Sequence, residues 1–286
     1  MTIARGRGDQ FLLKSRKVAR IPVNALDRAG EQMSFYARAI AWTPRTLHRY
    51  RKETLRLLAE VTFGSGALAV IGGTIGVIAM MSGFTGVVVG LQGFAALEQL
   101  GSSVLTGFLS AYVNTREIAP IVAALALSAT VGCGFTAQLG AMRISEEIDA
   151  LEVMAVPSVP FLVTTRMIAG FVAVIPLYIV GLLAAYLASR VISTVFNGQS
   201  TGSYDHYFNL FLPPQDVLYS FAKVLVFAFV LILIHCYYGF HASGGPAGVG
   251  VAVGRAVRAA NGTISVLEFF LSLAIWGTTT TVRVAG

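Results

Sequence analysis

Apolar positions run along this chain in long blocks broken by short polar punctuation, and the blocks are too long for an ordinary buried core. From Val61 to Leu97 no charged residue occurs in 37 positions. Further apolar stretches follow, one of them crossed by the adjacent pair Arg116 and Glu117. About 20 apolar residues span the hydrocarbon of a bilayer. The pattern therefore predicts five crossings, at about 61–92, 103–141, 161–193, 216–239 and 262–282. Glycines spaced four apart, Gly72 with Gly76 and Gly86 with Gly90, suit close helix approach, although membrane helices also tolerate glycine without such a role.

Upstream, the pattern changes. Residues 1–32 form a basic arm without clear periodicity. Met33, Tyr36, Ala37 and Ile40 then recur at helical spacing, and Thr43-Pro44 reads as an N-cap with proline in the first turn. Leu47, Tyr50, Thr54, Leu57, Leu58 and Val61 share one face, while His48, Arg49, Arg51, Lys52 and Arg56 crowd the other. Residues 33–60 thus predict an amphipathic helix lying in the membrane interface, ahead of a membrane domain over 61–286. The expected fold class is an all-α integral membrane protein, with an N-terminal interfacial amphipathic helix plus five transmembrane helices.

Composition agrees with the pattern: 55% of residues are hydrophobic, 12% are charged, and mean hydropathy is +0.72. Charge adds an orientation. Residues 1–60 carry 13 of the 21 Lys and Arg against 5 acids, whereas the rest carry 8 against 9. With the N-terminus in the cytoplasm, the connections at 142–166 and 240–260 are also cytoplasmic, and 17 of the 21 basic residues lie inside. Five crossings then put the C-terminus on the outer, periplasmic side of a plasma (inner) membrane. The basic arm suits anionic headgroups, and nothing in its pattern suggests nucleic acid.

Catalytic and metal signatures are not evident. None of the four lysines follows a glycine, so no phosphate-binding G-K-[ST] occurs. The Gly-rich stretch 248–254 is neither a P-loop nor a dinucleotide fingerprint, and reads as a flexible loop opening a short helix. The four histidines share no ligand spacing, so no metal site is expected, and Cys133 and Cys236 read as buried structural thiols. The chain is expected not to be an enzyme by itself and to hold no cofactor.

Ionisable residues within the apolar stretches are costly and so attract a functional reading. They are Glu98, Arg116, Glu117, Lys223 and Glu268. Arg116 and Glu117 point about 100° apart on a helix. Each would meet a neighbouring helix or a water-filled cavity, or else snorkel at a membrane boundary. Lys223 and Glu268 fall near span ends, where snorkelling is the expectation.

Between the second and third spans lies "SEEIDALEVMAVPSVP", Ser145 to Pro160. Ile144, Ile148, Leu151 and Ala155 form one stripe of a short helix at about 144–156. Glu146, Glu147, Asp149 and Glu152 cover much of the remainder, Ser145 suits the N-cap, and Pro157 ends the helix. Either this is a solvated loop helix, or it docks into a cleft on a soluble partner that supplies the missing energy source.

The stretch from Thr115 to Gly170 resembles the signature region of the MlaE/YrbE permeases, the membrane subunits of ABC transporters that work with MCE proteins. Arg116, Glu117 and Pro120 fit R-E-x-x-P; Thr136 to Gly140 fit T-A-x-[IL]-G; and Glu146 to Val156 fit E-[EQ]-[IL]-x-[AS]-[LM]-E-x-M-x-V. "GLQGF" at 90–94 and the Gly-rich 244–258 are also similar, and "HCYYGF" at 235–240 looks most like the B-type YrbE subunits of actinobacterial, mycobacterial-type Mce systems. The resemblance implies that the 144–156 helix is a coupling helix, presenting Ile144, Glu146, Glu147, Ile148, Asp149, Leu151, Glu152 and Met154 to an ATPase. It further implies a heterodimer with a sister YrbE permease, a cytoplasmic ABC ATPase dimer that binds ATP and Mg, and an MCE protein hexamer above. A lipid pocket between the subunits would draw on Leu91, Gln92, Glu98, Arg116, Glu117 and Pro120. One departure stands out: "SATVGCG", Ser128 to Gly134, lacks the arginine that homologues often carry there. Two other readings remain: an ion- or proton-coupled secondary transporter using Arg116 and Glu117, and a non-transporting membrane scaffold.

Overall fold

A computed structural model of the chain describes residues 26–27, 29–63 and 73–277. Among these residues the structure is helical, with no strand. Residues 29–41 form α1, followed by α2 (Thr43–Arg49) and α3 (Arg51–Phe63). Then come α4 (Thr74–Gln99), α5 (Ser103–Ile144), α6 (Glu147–Val153), α7 (Val159–Phe196), α8 (Thr201–Leu210), α9 (Pro214–Phe240) and α10 (Gly245–Trp276). Five of these, α4, α5, α7, α9 and α10, are long and apolar enough to cross a membrane, which makes this a multi-pass membrane protein.

α5 is the most enclosed of the five and α10 the least. α7 packs along α4 and also touches α3, α5 and α9, while α9 and α10 pair against the last third of α5. The first helical turns of α5 carry α8, and its far end leads into α6, so α6 and α8 mark opposite ends of the bundle.

Glycine lets α4 and α7 approach. A Cβ on Gly86 would overlap the backbone of Ala185, and one on Gly90 would lie 3.0 Å from Ser189 O. Removing side chains from this seam is what allows the close crossing. The other pair, Gly72 with Gly76, involves a position outside the described residues.

Several boundaries differ from those read in the sequence. The expected first span at 61–92 divides between α3, which continues to Phe63, and α4, which begins at Thr74; part of the interval is outside the described residues. The expected fifth span at 262–282 starts instead at Gly245, because the Gly-rich segment taken for a loop is helical from its first turn. Its glycines cost helix propensity, but packing against α9 outweighs that weak preference.

The buried face of α1 also differs. Phe35 and Ala39 are buried, whereas Met33 and Ile40 are exposed. A helix beside a membrane domain can carry two apolar faces, and periodicity alone does not say which one meets protein. Thr43 does not cap α2 either: Trp42 holds that place and makes no side-chain cap.

Candidate functional site

Proline 120 explains why the R-E-x-x-P motif has its spacing. In a regular helix the Arg116 carbonyl would accept from the N–H four residues on, but that residue is Pro120 and has no N–H. The segment Asn114–Ile118 relaxes into a π-helical turn, and the Lys223 ammonium donates to Arg116 O at 2.6 Å. Such π-bulges concentrate at functional sites.

The π turn sends its two charged side chains to different helices. Arg116 donates from Nε to Asp216 Oδ2 at 2.8 Å, with Nη2 at 2.6 Å from the same oxygen. Its guanidinium also lies over the rings of Tyr112, at 4.1 Å, and Trp276, at 5.2 Å. Trp276 Nε1 donates to the other Asp216 oxygen at 3.0 Å. Glu117 turns towards α10 and accepts from Ser272 Oγ at 3.0 Å. Lys223 Nζ donates to Glu268 Oε1 and Ser272 Oγ, each at 2.7 Å. Lys223 and Glu268 therefore do not snorkel: the Lys223 side chain is fully buried and Glu268 nearly so. They lie about 12–14 Å along their helices from the nearer ends, too deep for water unless each has a partner.

Glu117 differs from its neighbours. Its side chain is 43% exposed on this chain's surface, although it lies at the same depth as the buried ion pairs. Hydrocarbon is a costly environment for a carboxylate, so this face is suited to a polar cavity or another subunit. Of the other expected pocket residues, Pro120 is buried, while Leu91, Gln92 and Glu98 are exposed along α4 and take no hydrogen bond or ion pair in the cluster.

A second polar node sits one bulge further along α5, at Ser128–Gly132. Buried His235 meets Ser128 Oγ through Nε2 at 3.0 Å and Thr136 Oγ1 through Nδ1 at 2.9 Å. Gly132 makes room, since a Cβ there would lie 2.6 Å from the imidazole ring. Both ring nitrogens are thus occupied by hydroxyls. The histidine is a hydrogen-bonded interior group of α9, set against the Ser128–Gly132 bulge of α5.

At the opposite end, α6 is shorter than the expected 144–156, and it is capped differently. Ser145 belongs to the end of α5, its single hydroxyl proton placed between Ala141 O at 3.0 Å and Glu147 Oε1 at 2.8 Å. Glu146 takes the N-cap place with φ of 60°. The helix ends before Pro157. Ala155 N–H bonds Glu152 O at 3.0 Å and Val156 N–H bonds Leu151 O at 2.9 Å, with Ala155 at φ of 58°. That is a Schellman closure built on alanine, where glycine is usual. Glu146 and Ala155 are the two non-glycine residues with positive φ among the described residues, and they bracket α6.

The faces of α6 correct the expected apolar stripe. Ile148 is fully buried in the chain's own core, Leu151 is partly buried against it, and Ile144 is half-buried, so this stripe anchors α6 instead of offering it to a partner. The exposed side carries Glu146, Glu147, Asp149 and Glu152, and then Val153 at 88% and Met154 at 64% exposure. Arg143 pairs with Asp149 at 2.6 Å, and Ser158 donates to Glu152 at 2.6 Å. A cleft of about 380 Å³ beside it is lined by Arg38 of α1, by Trp42 and by 155–160.

Arg166, expected in a cytoplasmic connection, lies buried in the first turns of α7. It donates to Leu162 O at 2.8 Å and to Gln138 at 3.2 Å, and Gln138 reaches Glu60 of α3 at 3.0 Å. Asp216 and Trp276 escaped the sequence reading, because Asp216 stood at the edge of an apolar run and its cation lies 100 residues earlier. The available signal was Pro213-Pro214, which starts α9 early enough to bring Asp216 inside it.

Five apolar helices, a buried ion-pair cluster among them and a short acidic helix with an exposed apolar tip at one end define a multi-pass membrane protein. The MlaE permease family, described as Permease MlaE, matches residues 63–274, and the chain belongs to it. A probable ABC transporter permease protein of Rickettsia bellii is 30% identical over 143 residues, 50% of this chain and 55% of that one. One of Synechocystis is 30% identical over 172 residues, 60% and 65% of the respective chains. The chloroplastic protein TRIGALACTOSYLDIACYLGLYCEROL 1 of Arabidopsis thaliana is 28% identical over 174 residues, 61% and 50%. The chain spans about half the length of the first of these relatives.

Proposed function

We propose that this chain is the membrane-spanning permease subunit of an ATP-driven ABC transporter that moves lipid together with MCE proteins across the cell envelope. The observation that carries the reading is the exposed side of α6: four carboxylates beside Val153 and Met154, on a helix locked to the bundle by Ile148. A cytoplasmic ATPase dimer, binding ATP and Mg, grips that side. Because Ile148 ties α6 to the core shared by α5, α7 and α9, displacement of α6 is transmitted into the spans. The partner must bind one arrangement of α6 better than the other for ATP to do work.

Lipid as the substrate class has two supports. One relative bears the name of a diacylglycerol lipid. Half-exposed Glu117 also offers a polar contact at membrane depth, and α4 presents an exposed apolar row of Met80, Phe84, Val88 and Leu91. In this reading Leu91, Gln92 and Glu98 face the lipid with Glu117, while Arg116 and Pro120 hold the wall behind them. A sister permease of the YrbE type completes the pocket, and an MCE hexamer receives or delivers the lipid on the outer side of a plasma membrane. The basic N-terminal arm lies in the cytoplasm.

The test is Met154→Asp in the complete complex. It adds charge to the exposed tip without touching Ile148. The proposal expects ATPase retention to fall tenfold or more, equivalent to about 1.4 kcal/mol or above, with membrane insertion intact. Full retention and full lipid transport by this variant would overturn it.

A further inference from the structure

Counting protons in the buried cluster exposes a deficit. The Lys223 ammonium has three N–H groups, and all three are placed: on Arg116 O, Glu268 Oε1 and Ser272 Oγ. The Ser272 hydroxyl gives its one proton to Glu117. Arg116 Nε and Nη2 and Trp276 Nε1 are directed at Asp216. Glu268 Oε2 is buried and receives nothing. A carboxylate oxygen left in that state is expensive.

Charge points the same way. Among the described residues the cluster holds two cations, Arg116 and Lys223, against three carboxyl groups, Glu117, Asp216 and Glu268. The other groups facing it, Tyr112 of α5, Tyr178 and Tyr186 of α7 and Ser272 and Trp276 of α10, bring no positive charge. Glu117 and Glu268 crowd the same ammonium: Lys223 Nζ lies 2.7 Å from Glu268 Oε1 and 3.8 Å from Glu117 Oε2, and Ser272 Oγ bridges Lys223 to Glu117. Two carboxyls gathered on one ammonium repel each other unless one of them holds a proton.

We propose that Glu117 and Glu268 form an intramembrane proton-binding site, sharing a single proton at neutral pH. The proton gives Glu268 Oε2 its missing partner, balances the cluster at two positive and two negative charges, and ties α5 to α10. Half-exposed Glu117 is where the proton enters and leaves, since Glu268 is shielded. The site does not require that the chain be driven by protons, and it stands apart from the ATPase-coupling reading.

The test is infrared spectroscopy of the purified complex in lipid bilayers, reading the C=O stretch of protonated carboxylic acid. At neutral pH the wild type is expected to show the band, and labelling glutamate with ¹³C is expected to shift it. Glu117→Gln and Glu268→Gln should each abolish it, because either change leaves two cations facing two carboxylates. Absence of the band in the wild type would overturn the proposal, as would a band that ignores the glutamate label. A band that survives in either variant would overturn the sharing. Absence of the wild-type band decides against the proposal even if a variant fails to fold.

Discussion

The two acidic regions of this protein make opposite use of the same chemical group. Near α8, the carboxyls of Asp216 and Glu268 are buried against Arg116 and Lys223. On α6, at the other end, Glu146, Glu147, Asp149 and Glu152 are exposed, beside an apolar tip. Burial decides the difference. In a low-dielectric interior a charge must be matched, so the first group holds helices together. In water a charge can stand with little compensation, so the second group remains available to a partner.

Breaking a buried pair should sharpen this contrast most. Asp216→Ala leaves Arg116 and Trp276 Nε1 without their acceptor, and we expect a loss of roughly 3–5 kcal/mol. Thermal unfolding in detergent or bilayers should show a strongly lowered midpoint. Glu147→Ala on α6 removes a carboxylate of the same charge, and should leave that midpoint almost unmoved. If the two variants unfold alike, burial is not what separates the regions.

A smaller effect is expected at the end of α6. Ala155 occupies a left-handed conformation that costs an L-residue about 1–2 kcal/mol, part of which glycine would return as unfolded-state entropy. Ala155→Gly should therefore stabilise this turn by about 1 kcal/mol or less. A rise in local amide-exchange protection at 154–157 would show it. A drop would mean that the turn is held by something other than the Schellman closure.

The smallest effect belongs to an exposed pair near α8. Arg190 donates two hydrogen bonds of 2.8 Å to Asp205, which hold that carboxyl below its ordinary range. A group with a lowered value stabilises the fold at neutral pH and loses that contribution as pH falls through the lowered value. Both side chains are about two-fifths exposed, so solvent screening limits the effect. Arg190→Ala should cost less than about 1 kcal/mol at neutral pH and nothing in strong acid. A constant cost across that range, measured by thermal unfolding at stepped pH, would remove the ion pair from the account.

Much of the bundle was legible because bilayer thickness imposes its length on apolar runs, and five such helices are present. The start of α10 was not, because glycines that weaken an isolated helix are tolerated once α9 packs beside them. The face of α1 was misread because Met33 and Ile40 share the period of buried Phe35 and Ala39. Arg116 and Glu117 were visible as costly residues, but their partners were not. Asp216, Lys223, Glu268 and Ser272 come from two other helices, and no local rule links them. On α6 the carboxylates were evident from spacing, whereas the inward turn of Ile148 depends on the core that receives it.

The central claim is that the exposed side of α6 meets an ATPase while its Ile148 side does not. Photo-crosslinking tests this most directly, with a photoreactive residue placed at position 154 or at position 148 in native membranes holding the full complex. An adduct between position 154 and a nucleotide-binding subunit is expected, with only intrachain products from position 148. Adducts to lipid alone from position 154, or an ATPase adduct from position 148 instead, would contradict the claim.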